Sequence, residues 1–246
     1  MDPVKTTLEQ TLIVMPAFNE EESVGDVVQE VFSQLPGVGC LVVDDGSSDT
    51  TAEAARAAGA IVAVLPFNLG VGGAMRLGFK YAREHGYANV VQIDSDGQHD
   101  PADVRPLLAK LDEADLVIGA RFAGAGVYEA SGPRRWAMLT LSSMLSRISH
   151  TRLTDTTSGL RASGPRAVKL FADHYPAEYL GDTIESLVIA IREGCRIAQV
   201  PVSMRPRSGG VASHSPARSA VYLGRAMIAL VFALIRPAHL PHGSVD

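Results

Sequence analysis

The chain has 246 residues, 46% of them hydrophobic, and a formal charge of −5, so it can bury one substantial core and suits a single α/β domain. Two cysteines, Cys40 and Cys195, exclude a disulfide framework and point to a reducing, cytoplasmic compartment. No apolar stretch between Met1 and Gln10 suggests a secretory signal, and no nucleic-acid partner is expected. The charge is uneven. Residues 1–120 carry 7 Lys/Arg against 19 Asp/Glu, a balance of −12, whereas residues 121–246 carry 15 against 8, a balance of +7. An acidic half suits a metal, and a basic half suits phosphates or an anionic membrane surface.

In chain order, Thr11 to Met15 reads as a strand, Glu21 to Phe32 as a helix, and Cys40 to Val43 as a second strand. Thr50 to Ala58 is expected as a helix opened by the capping pattern Thr50-x-x-Glu53. Then come the strand Ile61 to Leu65, the helix Gly72 to His85, the strand Asn89 to Ile93, a helix from Pro101 and the strand Leu116 to Ile118. Continuous apolar strands separated by helices predict a mostly parallel sheet covered on both faces. Ligands of such sheets bind beyond the carboxyl ends of the strands, which makes the post-strand segments the candidate site.

Chief among them is Asp94-Ser95-Asp96-Gly97-Gln98-His99, followed by Asp100-Pro101, a helix N-cap with proline at the first helical position. Two carboxylates one residue apart at a strand end offer the oxygen ligands that hard divalent cations take, and Mg²⁺ or Mn²⁺ carrying a diphosphate is the natural occupant. A plain turn with two solvated acids is the simpler alternative for this motif alone. However, the first strand ends in Pro16-Ala17-Phe18-Asn19-Glu20 and the second in Asp44-Asp45-Gly46-Ser47-Ser48-Asp49. Three strands thus deliver acids to one edge, where repulsion destabilises the fold unless cations or ligand donors use them. Asn68 to Ala74 is glycine-rich and opens a helix. Met75 stands where a dinucleotide fingerprint needs its third glycine, so close approach of the helix to the sheet or to a nucleotide explains these glycines equally well.

Together with Asn68-x-Gly70 and Gly119-Ala120-Arg121, this ordered series resembles the family 2 glycosyltransferases of GT-A fold, and most of all their dolichol-phosphate mannose synthase and polyprenol-phosphate sugar transferase branch. The resemblance runs from about Leu12 to Ser213. It implies one GT-A domain over 1–215, with a nucleotide-sugar half (1–120) and an acceptor half (121–215), then a C-terminal amphipathic helix and tail (216–246). A nucleotide-sugar would be held by Pro16, Ala17, Asn19, Glu20, Asp44, Asp45, Gly72, Asp94 and Ser95. The same resemblance implies Asp94, Asp96 and Gln98 as the Mg²⁺ or Mn²⁺ site, and Asp96, Arg121 and Arg207 as catalytic. Gly97 stands where relatives often carry an apolar residue, a departure expected to matter little.

In the basic half, Asp155-Thr156-Thr157-Ser158-Gly159-Leu160-Arg161 resembles the Asp-x-x-Ser-Gly segment lining the acceptor side in this family. The strand Val200-Pro201-Val202, with Arg205 to Ser213, resembles a loop that closes over the phosphates, though here His214 replaces the usual lysine and the serine is displaced to Ser213. An acceptor phosphate would meet Arg134, Arg135, Ser158 and Arg205. A lipid monophosphate acceptor is already ionised near neutral pH and needs no general base; a hydroxyl acceptor does, and Asp182 or Glu185 is the one plausible placement for it. Those two acids also suit a helix N-terminus. The expected reaction is therefore inverting transfer from a UDP- or GDP-sugar to a polyprenyl phosphate. A hydroxyl acceptor and a non-catalytic nucleotide-binding relative are the alternatives. A nucleotidyltransferase is disfavoured, because Pro16 to Glu22 contains neither Arg nor Lys.

Peripheral membrane contact is expected from two segments. The uncharged run Ala226 to Ile235 has ten residues, against the ~20 a membrane span needs. At ~100° per residue, Arg218, Arg225 and Arg236 fall within about 20° of one another, the pattern of a helix lying in the headgroup plane. Arg134-Arg135-Trp136, leading into an apolar stretch, places the only tryptophan beside two arginines, as interfacial anchors often are. Packing on the core or a homo-oligomer contact is the competing explanation. The expected location is the cytoplasmic face of the cell membrane.

Overall fold

The computed structural model describes residues 8–121, 142–176 and 182–206. Arg134, Arg135, Trp136, Arg207, Ser213, His214, the segment 216–246 and the Asp182 side chain lie outside this description, so expectations placed on them stay untested by the fold.

Among the described residues, seven strands form one sheet. In chain order they are β1 (Thr11–Ala17), β2 (Gly39–Asp44), β3 (Ile61–Val64), β4 (Asn89–Gln92), β5 (Leu116–Ala120), β6 (Arg161–Ser163) and β7 (Ile197–Pro201). Their spatial order is β3-β2-β1-β4-β6-β5-β7. All pairings are parallel except those of β6, which runs antiparallel to both β4 and β5. The helices are α1 (Val24–Gln34), α2 (Thr51–Ala57), α3 (Gly70–Glu84), α4 (Val104–Lys110), α5 (residues 142–149), α6 (Pro165–His174) and α7 (Asp182–Arg192).

Successive strand residues point to opposite faces, so a sheet buried on both sides must be apolar at every position. In β1, Leu12 and Val14 join one core with Met75 and Phe79 of α3 and Phe171 of α6. Ile13 and Met15 join the other, with Val27 and Val31 of α1 and Leu107 of α4. Phe79, Phe171 and Tyr175 form an aromatic triad with centroids 5.0–5.2 Å apart. Gly78 lets α3 lie against β1, since a Cβ there would overlap the Val14 side chain. Both cysteines are buried, and burial pushes the Cys40 thiol up to about 12. No helix among the described residues is long and apolar enough to cross a membrane.

Several expected boundaries shift. β1 and β5 each continue two residues further, so Pro16 and Ala17 belong to the sheet. α1 begins at Val24 rather than Glu21, because residues 21–23 form a turn in which the Glu20 carbonyl accepts from the Ser23 and Val24 amides. The capping pattern at Thr50 does not form: its hydroxyl donates to the Glu21 carboxylate instead of capping α2. The Asp100 cap does form, with its carboxylate accepting from the Ala102 amide and Pro101 opening a 3-10 turn into α4.

Candidate active site

The strand order reverses between β1 and β4, and the crevice beyond their carboxyl ends is where open α/β sheets bind ligands. β1 is the hub of this edge. The Ala17 carbonyl accepts from the Asp45 amide (2.8 Å) and the Pro16 carbonyl from the Ser95 hydroxyl (3.0 Å), which pins the turns after β2 and β4 to one point. Because β6 is antiparallel, with Arg161 opposite Gln92, the loop that precedes it arrives at the edge that β4 leaves. Segments 16–20, 44–49, 94–99, Arg121, 155–160 and 202–205 therefore share one side of the sheet.

The nucleotide-side residues are brought together, but many of their polar atoms serve the turns themselves. Asn19 sits at φ +54°, and its side-chain oxygen accepts from the Ser48 amide (2.8 Å) while its own amide donates to the Ser47 hydroxyl (2.9 Å). Asp44 Oδ1 accepts from the Ser47 amide (2.9 Å). Asp45, expected among nucleotide ligands, accepts from the amides of Leu69 and Gly70 (2.7 Å each), capping α3 from another strand. Burial raises its carboxyl and the Asp44 charge adds to this, while the two amides oppose the rise. Gly46, at φ +75°, lies against the backbone of Phe67 and Asn68, where a Cβ would not fit. Gly72 is buried in the first turn of α3. The Glu20 carboxylate accepts from the Ser23 hydroxyl (2.9 Å).

After β4, Asp94 is 40% exposed at its side chain and meets His99 Nε2 through Oδ2 at 3.1 Å. Burial would raise its carboxyl; the His99 hydrogen bond and charge, with Gln92 and the Arg121 charge, outweigh this and hold it below the usual carboxylate range. Asp96 Oδ1 accepts from the Gln98 amide (3.0 Å). Gly97 has φ +75°, a turn in which an apolar side chain would be strained. Ser95 is buried, and its hydroxyl donates to the Pro16 carbonyl, bracing the two strands. Among the described residues no three His, Cys, Asp or Glu side chains are grouped so as to hold a metal ion by themselves. Two adjacent carboxylates, one held ionised, fit instead a divalent cation that completes its shell with phosphate oxygens and water.

On the acceptor side Arg121 extends from β5 onto Asp155, which is fully buried. Nε and Nη2 reach its two oxygens at 2.7 and 3.1 Å, and Nη2 also donates to the Thr157 hydroxyl (2.9 Å). Burial would raise the Asp155 carboxyl, but the Arg121 hydrogen bond and charge lower it overall. Arg161, 5% exposed, donates to the carbonyls of Thr156 (2.8 Å), Ser158 (2.9 Å) and Thr183 (2.6 Å), tying this loop to the first turn of α7. Ser158 is buried, and its hydroxyl has no hydrogen-bond partner. Arg205 ion-pairs through its two Nη atoms with Glu30 (2.7 Å) and Asp100 (2.5 Å), and these contacts raise its pKa. Its amide donates to the Gln98 carbonyl (2.9 Å), making it a tie to the 98–100 turn. Sequence reasoning assigned no role to His99 or Asp155, although both stand inside motifs it singled out.

The model of Glycosyl transferase family 2 matches residues 12–172, more than half of the chain. Among curated proteins, the chain is similar to a polyprenol monophosphomannose synthase of Mycolicibacterium smegmatis, 31% identical over 84% of this chain and 82% of that protein. It is also similar to an undecaprenyl-phosphate mannosyltransferase of Micrococcus luteus, 33% identical over 82% of this chain and 86% of that one. Glucosyl-3-phosphoglycerate synthase from Mycobacterium tuberculosis, crystallised with Mn²⁺, UDP and phosphoglyceric acid, superimposes with a TM-score of 0.70 at 22% identity, over 93% of this chain and 80% of that one, and supports the GT-A fold. An acid-lined edge at the β1/β4 switch point, a single mixed sheet and these relatives agree: the chain belongs to glycosyl transferase family 2, beside polyprenyl-phosphate sugar transferases, and is a glycosyltransferase.

Proposed function

We propose that the chain transfers a sugar, with inversion, from a nucleoside-diphosphate sugar to a polyprenyl phosphate at the cytoplasmic face of a membrane. The observation that carries this reading is an acidic strand end, Asp94 and Asp96, on the sheet edge where Arg121, steered by the buried Asp155, acts on Asp94 through its charge. Asp94 and Asp96, with Gln98, would hold Mg²⁺ or Mn²⁺, which when bound supplies charge neutralisation for the departing diphosphate. Pro16, Ala17, Glu20 and Asp44 line the turns that would receive the nucleoside. Arg121, whose Nε and Nη2 rest on Asp155, would bring its charge and remaining Nη1 to the phosphates, and Arg207 would offer them a guanidinium fork. Arg134, Arg135, Ser158 and Arg205 are the proposed acceptor-phosphate set, Arg205 being tied as well to Glu30 and Asp100. The acceptor phosphate attacks the anomeric carbon as an anion, so this chain has no proton to remove.

Membrane contact through Arg218 to Arg236 and around Trp136 belongs to the same proposal. A hydroxyl acceptor is the second reading. One observation favours it: Glu185 stands in the first turn of α7, which Arg161 ties to the acceptor loop. The test is transfer from radiolabelled UDP- and GDP-sugars in the presence of polyprenyl phosphate, read by organic extraction. Label entering the lipid phase from one donor is expected, and none from any donor would overturn the proposal.

A further inference from the structure

We propose that His99 and Gly159 are positioning residues which fix the Asp94 carboxylate and thereby set the affinity of this edge for a divalent cation; the inference rests on the metal reading above. A partly exposed aspartate after a strand is ordinarily free to change rotamer. Here His99 holds it, and the bare backbone of Gly159 leaves the space it fills. His99 is 2% exposed, and its Nε2 lies 3.1 Å from Asp94 Oδ2. The other ring nitrogen, Nδ1, is buried with no hydrogen-bond partner. Buried polar atoms are normally paired, so a ring that pairs one nitrogen and strands the other is sited for that one contact. Its backbone is secured by bridge pairing with Met204.

Gly159 acts by having no side chain. Its φ lies outside the left-handed region, so the backbone does not demand glycine; the carboxylate does. A Cβ at Gly159 would stand 2.7 and 2.8 Å from the two Asp94 oxygens and 3.1 Å from its Cγ. The loop cannot swing aside to make room. The buried Arg161 guanidinium takes the carbonyls of Thr156 and Ser158 on one side and that of Thr183 on the other. Gly159 is therefore held against Asp94, and any side chain there must displace the carboxylate. Groups that orient a metal ligand in this way alter metal affinity by roughly 10- to 100-fold when removed.

The experiment is a Mn²⁺ titration of the intact chain with UDP or GDP present, read by loss of the free-ion electron paramagnetic resonance signal. Wild type is compared with Gly159→Ala, His99→Leu and His99→Gln, and nucleotide affinity without metal is measured in parallel. We expect Gly159→Ala and His99→Leu to weaken Mn²⁺ binding by about 10-fold or more, with metal-free nucleotide affinity unchanged. His99→Gln, which keeps a donor, should recover part of the loss. Variants that bind Mn²⁺ like wild type would overturn the inference and leave the metal reading intact. So would a loss of metal-free nucleotide affinity equal to the loss of Mn²⁺ affinity, which would mark a general disruption. A wild type that binds no Mn²⁺ with either nucleotide would overturn the metal reading itself, and this inference with it. Should Gly159→Ala fail to fold, the difference between His99→Leu and His99→Gln decides the question alone.

Discussion

The nucleotide-side and acceptor-side parts of the sheet edge are built by different physics. The turns after β1, β2 and β4 are laced by short polar side chains to backbone amides: Asn19 to Ser48, Asp44 to Ser47, Asp45 to Leu69 and Gly70. Each such bond contributes on the order of 1 kcal/mol, and together they produce a rigid acidic surface. Across the crevice two guanidiniums do the work, Arg121 in an ion pair with Asp155 and Arg161 in hydrogen bonds to three carbonyls. Losing one bond from the first region should be tolerated; losing one partner from the second should not.

The largest expected effect lies on the nucleotide side, in function rather than fold. Asp96→Ala should lower turnover by at least about 100-fold, as removal of one preorganised charge-stabilising group does elsewhere, and leave thermal unfolding nearly unchanged. Unaltered activity would remove Asp96 from the reaction.

Asp155→Ala comes next, and here the fold should suffer. Leaving Arg121 half-buried without its acid should destabilise the protein by about 3 kcal/mol, measurable by urea unfolding, and lower activity too. The carboxyl is depressed in the folded state, so its contribution is present above the unfolded value of ~4 and is lost as pH falls through the lower folded value. Asp155→Asn should flatten that acid limb. A variant as stable as wild type at neutral pH would show that the pair is dispensable.

How much of the edge could be read from the sequence depends on how far apart in the chain the partners lie. The acidic turns are legible because turn chemistry is local: Asp44, Ser47, Asp94 and Asp96 act within a few residues, and apolar runs such as Leu12 to Val14 announce buried strands. Boundaries moved where tertiary contacts intervened, as when Thr50 turned to Glu21 instead of capping its own helix. β6 carried no signal, since Arg161-Ala162-Ser163 has neither an apolar run nor alternation and is a strand only between β4 and β5. The Arg205 clamp was equally hidden, because Glu30 stands 175 residues away in sequence.

Smaller effects sharpen the picture. Arg207→Ala should reduce turnover by roughly 10-fold or more while nucleotide affinity changes less, if it acts on the assembled complex. Equal losses in both would make it a simple donor-binding residue. Ser95→Ala, which removes the brace to Pro16, should lower stability by about 1 kcal/mol and shift nucleotide affinity little. A large loss of affinity with unchanged stability would place Ser95 among the nucleotide ligands.

The proposed acceptor is a lipid phosphate met by cations, not a hydroxyl met by a base. That proposal is tested most directly by offering the wild-type chain polyprenyl phosphate and the corresponding polyprenol, with each radiolabelled sugar nucleotide, and counting label in the organic phase. Label is expected with the phosphate alone, undiminished in Glu185→Gln. Label carried by the polyprenol, and abolished by Glu185→Gln, would contradict it.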